Sequence, residues 1–245
     1  MKPRPKPGAP PPPAFPATSE ATIKEVRAIN PVCIISFSRG KDSIASYLAI
    51  REHFDGVVPY FYNVIPGLEF VEESLAYYEK LMGTRIIRMS APGFYSQING
   101  CLYQPPDTVQ MIESLGLETH THDDMQEAVC NDMGLDYDTT FNALGMRSKD
   151  SMMRALYFQK NGSINRKRKL FYPVWDWSKQ RVIDTIVESG WKLPIDYRYF
   201  SASFDGLYLK FMLPIKQHFP RDWDKIVTIF PLIELEILRY EASLK

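Results

Sequence analysis

Cysteine is scarce in this chain of 245 residues: Cys33, Cys101 and Cys130 stand far apart, and none follows position 130. That spacing excludes a disulfide framework and a paired-cysteine redox or metal motif, and it suits a reducing cytoplasm. Net charge is absent as well, because 29 basic side chains balance 29 acidic ones. No broad electrostatic field therefore draws the protein to nucleic acid. No apolar run reaches the roughly 20 residues of a membrane span, and the opening residues lack the apolar core of a secretory signal. The expectation is a cytoplasmic protein with no membrane partner. Glycine is also sparse in the run from Ile34 to Lys41, where Gly40 stands alone, which excludes a Walker-type loop and disfavours a dinucleotide fingerprint.

What is present is a junction from Ile34 to Ser43. A β-branched run at 32–37 reads as a strand, and Ile44, Tyr47, Leu48 and Ile50 fall on roughly one face of a following helix. The first amides of such a helix have no internal partner and can take anionic oxygens. Gly40 allows close backbone approach, Lys41 brings a positive charge, and Ser38 and Ser43 bring hydroxyls. Asp42 beside a phosphate needs a cation or an N–H to hold it, so it reads either as a Mg²⁺ ligand or as a cap.

Strand patterns at 32–37, 57–64 and 84–89 alternate with helical patterns at 42–53 and 68–82, the signature of parallel βαβ units. The second helix turns Leu68, Val71, Leu75, Tyr78 and Leu81 toward a core. The predicted fold is α/β, a doubly wound and mostly parallel sheet with helices on both faces, plus a helical lid and C-terminal helices. Residues 1–18 hold eight prolines and are expected to be an extended or disordered tail. Residues 19–204 form the nucleotide-binding domain, starting with a short helix near Ser19. An insertion or lid at about 91–138 has turns at Pro92-Gly93 and Pro105-Pro106 and helices at 107–115 and 123–133. A strand near 140–145 and helices near 149–160 and 178–189 complete the domain. Residues 205–245 are a helical extension, expected to be broken at Pro214, Pro220 and Pro231.

Ser36 to Ser43 resembles the signature of the PP-loop, or adenine-nucleotide α-hydrolase-like, superfamily (the HUP fold), with Arg39 where a glycine is usual. Pro66 to Glu73, Gly145 to Ser151 with Arg154, and Tyr172 to Ser178 extend the likeness through about residue 220. The similarity is to the sulfonucleotide (PAPS) reductase branch, including phage-encoded members, which implies a host cytoplasm if this chain is one of them. The resemblance implies that Ser36, Ser38, Arg39, Gly40, Lys41, Asp42, Ser43, Gly67, Glu69, Gly145, Arg147 and Arg154 contact an adenine nucleotide. Lys41, Asp42 and Arg147 carry the chemistry, and Asp42 or Glu69 organises Mg²⁺ or the ribose.

That branch works through a C-terminal cysteine, which this chain lacks, and some of its members use paired cysteines for an iron–sulfur cluster. The expected cofactors are therefore ATP or a related nucleotide and Mg²⁺, without an iron–sulfur cluster. The expected reaction is that of an ATP pyrophosphatase, adenylating an acceptor oxygen of a small molecule, nucleobase or nucleic acid. Two alternatives stay open: sulfonucleotide reduction by an external thiol or by Cys101 or Cys130, and a noncatalytic nucleotide-binding protein. A homo-oligomer is also left open. His120, His122, Asp123 and Asp124 read as a polar loop, as a weak zinc set, or as proton-transfer groups near the nucleotide. Asn165 to Lys169 reads as a solvated turn or a phosphate clamp. Trp175, Trp177, Tyr197 and Tyr199 line either the substrate side or the core.

Overall fold

The computed structural model describes residues 17–243. The expectation for the proline-rich tail falls largely on 1–16, outside the described residues. Thr18 already belongs to the folded unit, since its hydroxyl accepts from Ala21 N–H and caps α1 (Ser19–Ile29).

The chain then runs through β1 (Val32–Ser36), α2 (Lys41–Ile50), β2 (Gly56–Asn63), α3 (Glu69–Met82) and β3 (Ile87–Ser90). Next come α4 (Pro92–Asn99), α5 (Pro106–Leu115), α6 (His122–Asp132) and β4 (Asn142–Ala143). A 3₁₀ turn at Ser148–Asp150 leads to α7 (Met152–Asn161), β5 (Ile164–Asn165), β6 (Leu170–Phe171) and α8 (Lys179–Glu188). The last helices are α9 (Asp196–Phe200), α10 (Leu209–His218), α11 (Pro220–Ile229) and α12 (Ile233–Ser243).

The sheet order is β3-β2-β1-β4-β6-β5, parallel throughout except for the β5 edge, so the α/β doubly wound expectation holds. After β1 the chain winds to one side and after β4 to the other, which makes the β1/β4 boundary the topological switch point where such sheets open a crevice. Pairing of β1 with β4 ends at Ile35 opposite Ala143. The Ser36 N–H, just beyond, donates to Asn142 Oδ1 at 3.1 Å.

One face of the sheet carries most of the core. Ile35 and Phe37 meet Ile44 and Tyr47 of α2, Leu75 and Tyr78 of α3, and Val182 and Ile186 of α8 there. Phe211, Ile215, Trp223, Ile226 and Ile233 from α10 to α12 join the same cluster, so residues 205–243 share the core of the domain they follow. The opposite face is thinner: Val129 and Cys130 of α6 cover Ile34 and Tyr60, and Phe158 of α7 packs on Leu170 and Tyr172. The segment read as a lid thus supplies, through α6, a layer of the sheet.

Three local expectations are corrected. Pro92-Gly93 opens α4 with proline in its first turn, where a missing N–H costs nothing. Pro214 sits inside α10 without ending it; the buried contacts of Phe211, Met212 and Ile215 outweigh a break of about 3 kcal/mol. Leu81, expected in the core, is exposed one residue before the end of α3, whose left-handed cap is Gly83. The basic run 165–169 is a turn, the first of its two readings: it closes an antiparallel hairpin with Asn165 opposite Leu170.

Candidate functional site

The loop between β1 and α2 lies at the switch point. Gly40 is the N-cap of α2 and has no side chain to cap with, so the first amides depend on other partners. The Lys41 N–H donates to the Tyr197 hydroxyl at 3.0 Å. Burial raises the pKa of Tyr197, foremost among its influences, so this hydroxyl is neutral. Ser43 Oγ donates to Gly40 O at 2.9 Å and accepts from Ser38 Oγ at 3.1 Å, which ties the turn together. A methyl group on Gly40 would stand 3.2 Å from Ser203 Oγ, so the segment from α9 to Phe204 lies directly on the loop.

Arg39 takes a left-handed conformation, φ 61°, in the position where a glycine is usual in the resembled motif. Its side chain was open to two readings, a nucleotide contact or a projection away from the loop, and here it points into the protein. Its guanidinium is 0% exposed and forms two parallel bonds, 3.1 and 3.0 Å, to Asp196, which is 0% exposed too. The Phe204 N–H adds a third bond to that carboxylate at 2.9 Å, and the guanidinium lies over the Phe61 ring. With its charge consumed inside the protein, Arg39 fastens the loop to α9.

Gly145, Arg147 and Arg154 arrive from the far side of the crevice. A Cβ on Gly145 would come within 2.7 Å of the Asp42 and Ser43 backbone, so only glycine lets the β4 exit rest on the start of α2. Arg147, expected on phosphate, is almost fully buried and donates to Asp42 Oδ1 at 2.7 Å, to Asp150, and to Trp177 O. Lys41 takes the other Asp42 oxygen, and Arg154 takes the second oxygen of Asp150 at 2.5 Å. Lys41, Asp42, Arg147, Asp150 and Arg154 therefore form one chain of alternating charge, three positive and two negative. Lys41 is its partly exposed end at the loop, and both Asp42 oxygens are held by cations.

The second expected contact, Gly67 and Glu69, lies at a helix start that the protein itself caps. The Glu69 and Phe70 amides at the start of α3 donate to the two oxygens of Asp222, 2.5 and 3.2 Å, and Asp222 is only 2% exposed. Lys225 bonds Gly67 O at 2.8 Å and Glu69 at 3.2 Å, and Arg221 is 3.7 Å from Glu69. Helix α11 thus satisfies this N-terminus.

Beside the loop, a cavity of about 290 Å³ opens on the thinner face of the sheet, lined by Ser36, Tyr60, Tyr62, His122, Gln126, Asn142, Leu144, Arg168 and Leu170. It adjoins the loop through the backbone, since Ser36 lies two residues before Ser38 and Leu144 one before Gly145. Asn142 Nδ2 donates to Tyr60 Oη at 2.8 Å, and burial pushes the Tyr60 hydroxyl up to about 12. Tyr62 packs edge-on to His122 at 5.3 Å, and its buried hydroxyl has no partner among the described residues. Tyr60, Tyr62 and Asn142 escaped the sequence reading, as did Gln126. Their signals were the i, i+2 tyrosines of one strand and the i, i+4 pair His122 and Gln126 of one helix.

The remaining candidates disperse. His120 packs on Tyr95, away from His122, and no group of three potential metal ligands occurs among the described residues. In the basic hairpin Arg166 pairs with Glu25, Arg168 with Asp123 at 2.6 Å, and Lys169 with Asp138 at 2.7 Å, which leaves little free charge for a phosphate clamp. Cys33 and Cys130 are buried, and burial raises both thiols, Cys130 to about 11. No described helix is long and apolar enough to cross a membrane.

No protein-family model matches this sequence. No curated protein matches it either. Among solved structures the chain is similar to the U34-tRNA thiolase NcsA from Methanococcus maripaludis with its [4Fe–4S] cluster: 13% identity over 88% of this chain and 80% of that one, with a TM-score of 0.41. The cofactor expectation is corrected at this point. It excluded an iron–sulfur cluster on the cysteine count, whereas NcsA carries one, so that exclusion is withdrawn.

Proposed function

We propose that this protein is an ATP-using enzyme of the PP-loop type that holds ATP across the β1/β4 crevice and releases pyrophosphate. The triphosphate lies on the Ser38–Ser43 loop beside Lys41, and the nucleoside enters the adjoining cavity. The observation that carries the reading is the continuity of two features: a helix start with a partly exposed lysine, and a polar, aromatic-walled cavity whose lining residues Ser36 and Leu144 lead directly into the loop and into Gly145, which rests on it. A cavity of about 290 Å³ is near the lower end of the roughly 300–1,000 Å³ usual for small-molecule sites, room for a nucleoside with its phosphates outside.

In this reading an acceptor oxygen attacks the α-phosphorus, the bond to the bridging oxygen breaks, and pyrophosphate leaves with the electron pair. Lys41 moves from Asp42 to the phosphates and stabilises the charge that grows on the leaving group. Arg147, held by Asp42 and Asp150, positions the loop without touching the anion. This reaction gives no step to a thiol; Cys33 and Cys130 are buried, and Cys101 is half-buried.

The test is binding and product analysis on the full chain. Lys41→Ala is expected to weaken ATP and pyrophosphate binding by about ten- to a hundredfold, the loss of one charge-assisted contact of roughly 1.5–3 kcal/mol. Labelled ATP is expected to give labelled pyrophosphate. Unchanged affinity in the variant, or ADP as the product, rejects the assignment.

A further inference from the structure

Gln126 stands one turn after His122 on α6 and shares its face. Its side chain is 3% exposed, lines the 290 Å³ cavity, and makes no hydrogen bond among the described residues. A primary amide brings two donors and an acceptor, and one that faces a cavity with no protein partner is free to meet a ligand there. The other polar groups around the cavity are largely committed. Asn142 is spent on the Ser36 N–H and the Tyr60 hydroxyl, and Arg168 is held by Asp123. The Gln126 amide remains, beside the Tyr62 and Ser36 hydroxyls and the His122 ring.

We propose that Gln126 is a specificity-determining residue that reads the base of the bound nucleotide, selecting adenine. An amide offers an N–H donor beside a carbonyl acceptor in one plane. The adenine edge with N7 as acceptor and the 6-amino group as donor matches it with two bonds. Guanine presents two acceptors on that edge, N7 and O6, so the Gln126 carbonyl stays unpaired in a buried site. The aromatic walls from Tyr60 and Tyr62 suit a flat heterocycle, and α6 brings the amide to its edge.

This inference rests on the nucleotide reading of the loop, and the experiment separates the two. Titration calorimetry with ATP, GTP and inorganic pyrophosphate is run on the full wild-type chain and on Gln126→Leu, which keeps the volume and removes the amide. The wild type is expected to favour ATP over GTP by on the order of tenfold, within the 1–3 kcal/mol of a two-pronged base contact. Gln126→Leu is expected to bring that ratio close to one while leaving pyrophosphate binding unchanged. If the variant does not fold, Gln126→Asn retains the amide but withdraws it by one methylene, and the same fall in the ratio is expected. A wild type that binds ATP with a ratio that neither variant moves overturns the role of Gln126 alone. A wild type that binds neither ATP nor pyrophosphate overturns the parent reading and this one together.

Discussion

Two strand-to-helix turns of this sheet start from the same physics and end differently. After β1 and after β2 the chain enters a helix whose N-cap has no side-chain cap, Gly40 in one case and Leu68 in the other. At α3 a buried carboxylate, Asp222, takes two amides, and Lys225 covers the preceding turn. At α2 a neutral hydroxyl takes one amide, and a lysine stands partly exposed beside it. An anion arriving at α3 has to displace a charge that the protein placed there, whereas one arriving at α2 displaces a tyrosine hydroxyl. The helix start is a candidate site only where the fold has left its donors weakly used.

The largest test of that contrast concerns what fixes each turn. Arg39→Ala leaves Asp196 buried without its partner, a change worth about 3–5 kcal/mol in denaturant unfolding. Arg39→Gly removes the same pair but relieves a left-handed backbone that costs other residues about 1–2 kcal/mol, so it is expected to fall short of the alanine loss by about 1 kcal/mol. Equal stabilities for wild type and Arg39→Ala would mean that the ion pair does not anchor the loop. Next in size, Asp222→Ala strips two amides of their acceptor and is expected to cost about 2–3 kcal/mol, with ATP affinity unchanged. Tighter ATP binding in that variant would show that the second turn is a site after all.

The fold was readable because periodicity and burial agree along β1 to α3, where strands and helices came out within a few residues. It was less readable from 91 to 171, since two-residue strands such as Asn142–Ala143 carry no alternation, and their existence depends on partners distant in sequence. The loop at 38–43 was likewise legible as a strand-to-helix turn. What its charges do was not, because Arg39 and Arg147 are answered by Asp196 and Asp150, and no local pattern says which carboxylate will meet which guanidinium. Asp222 shows the same limit at Glu69, where the capping residue comes from 153 positions away.

The smallest effect bears most directly on the contrast, because stability and binding move in opposite directions. Tyr197→Phe removes the one protein acceptor of the Lys41 N–H and leaves the ring in place. Folding is expected to lose about 1 kcal/mol, the net value of an ordinary hydrogen bond. The freed amide then meets an anion without first giving up a bond, so pyrophosphate is expected to bind up to about fivefold more tightly, the same 1 kcal/mol returned at the binding step. A hydroxyl that instead donates to the phosphate would make the variant bind more weakly, and one that only packs would leave the affinity unmoved. Calorimetric titration of both proteins with pyrophosphate, beside their thermal melts, separates the three cases by sign.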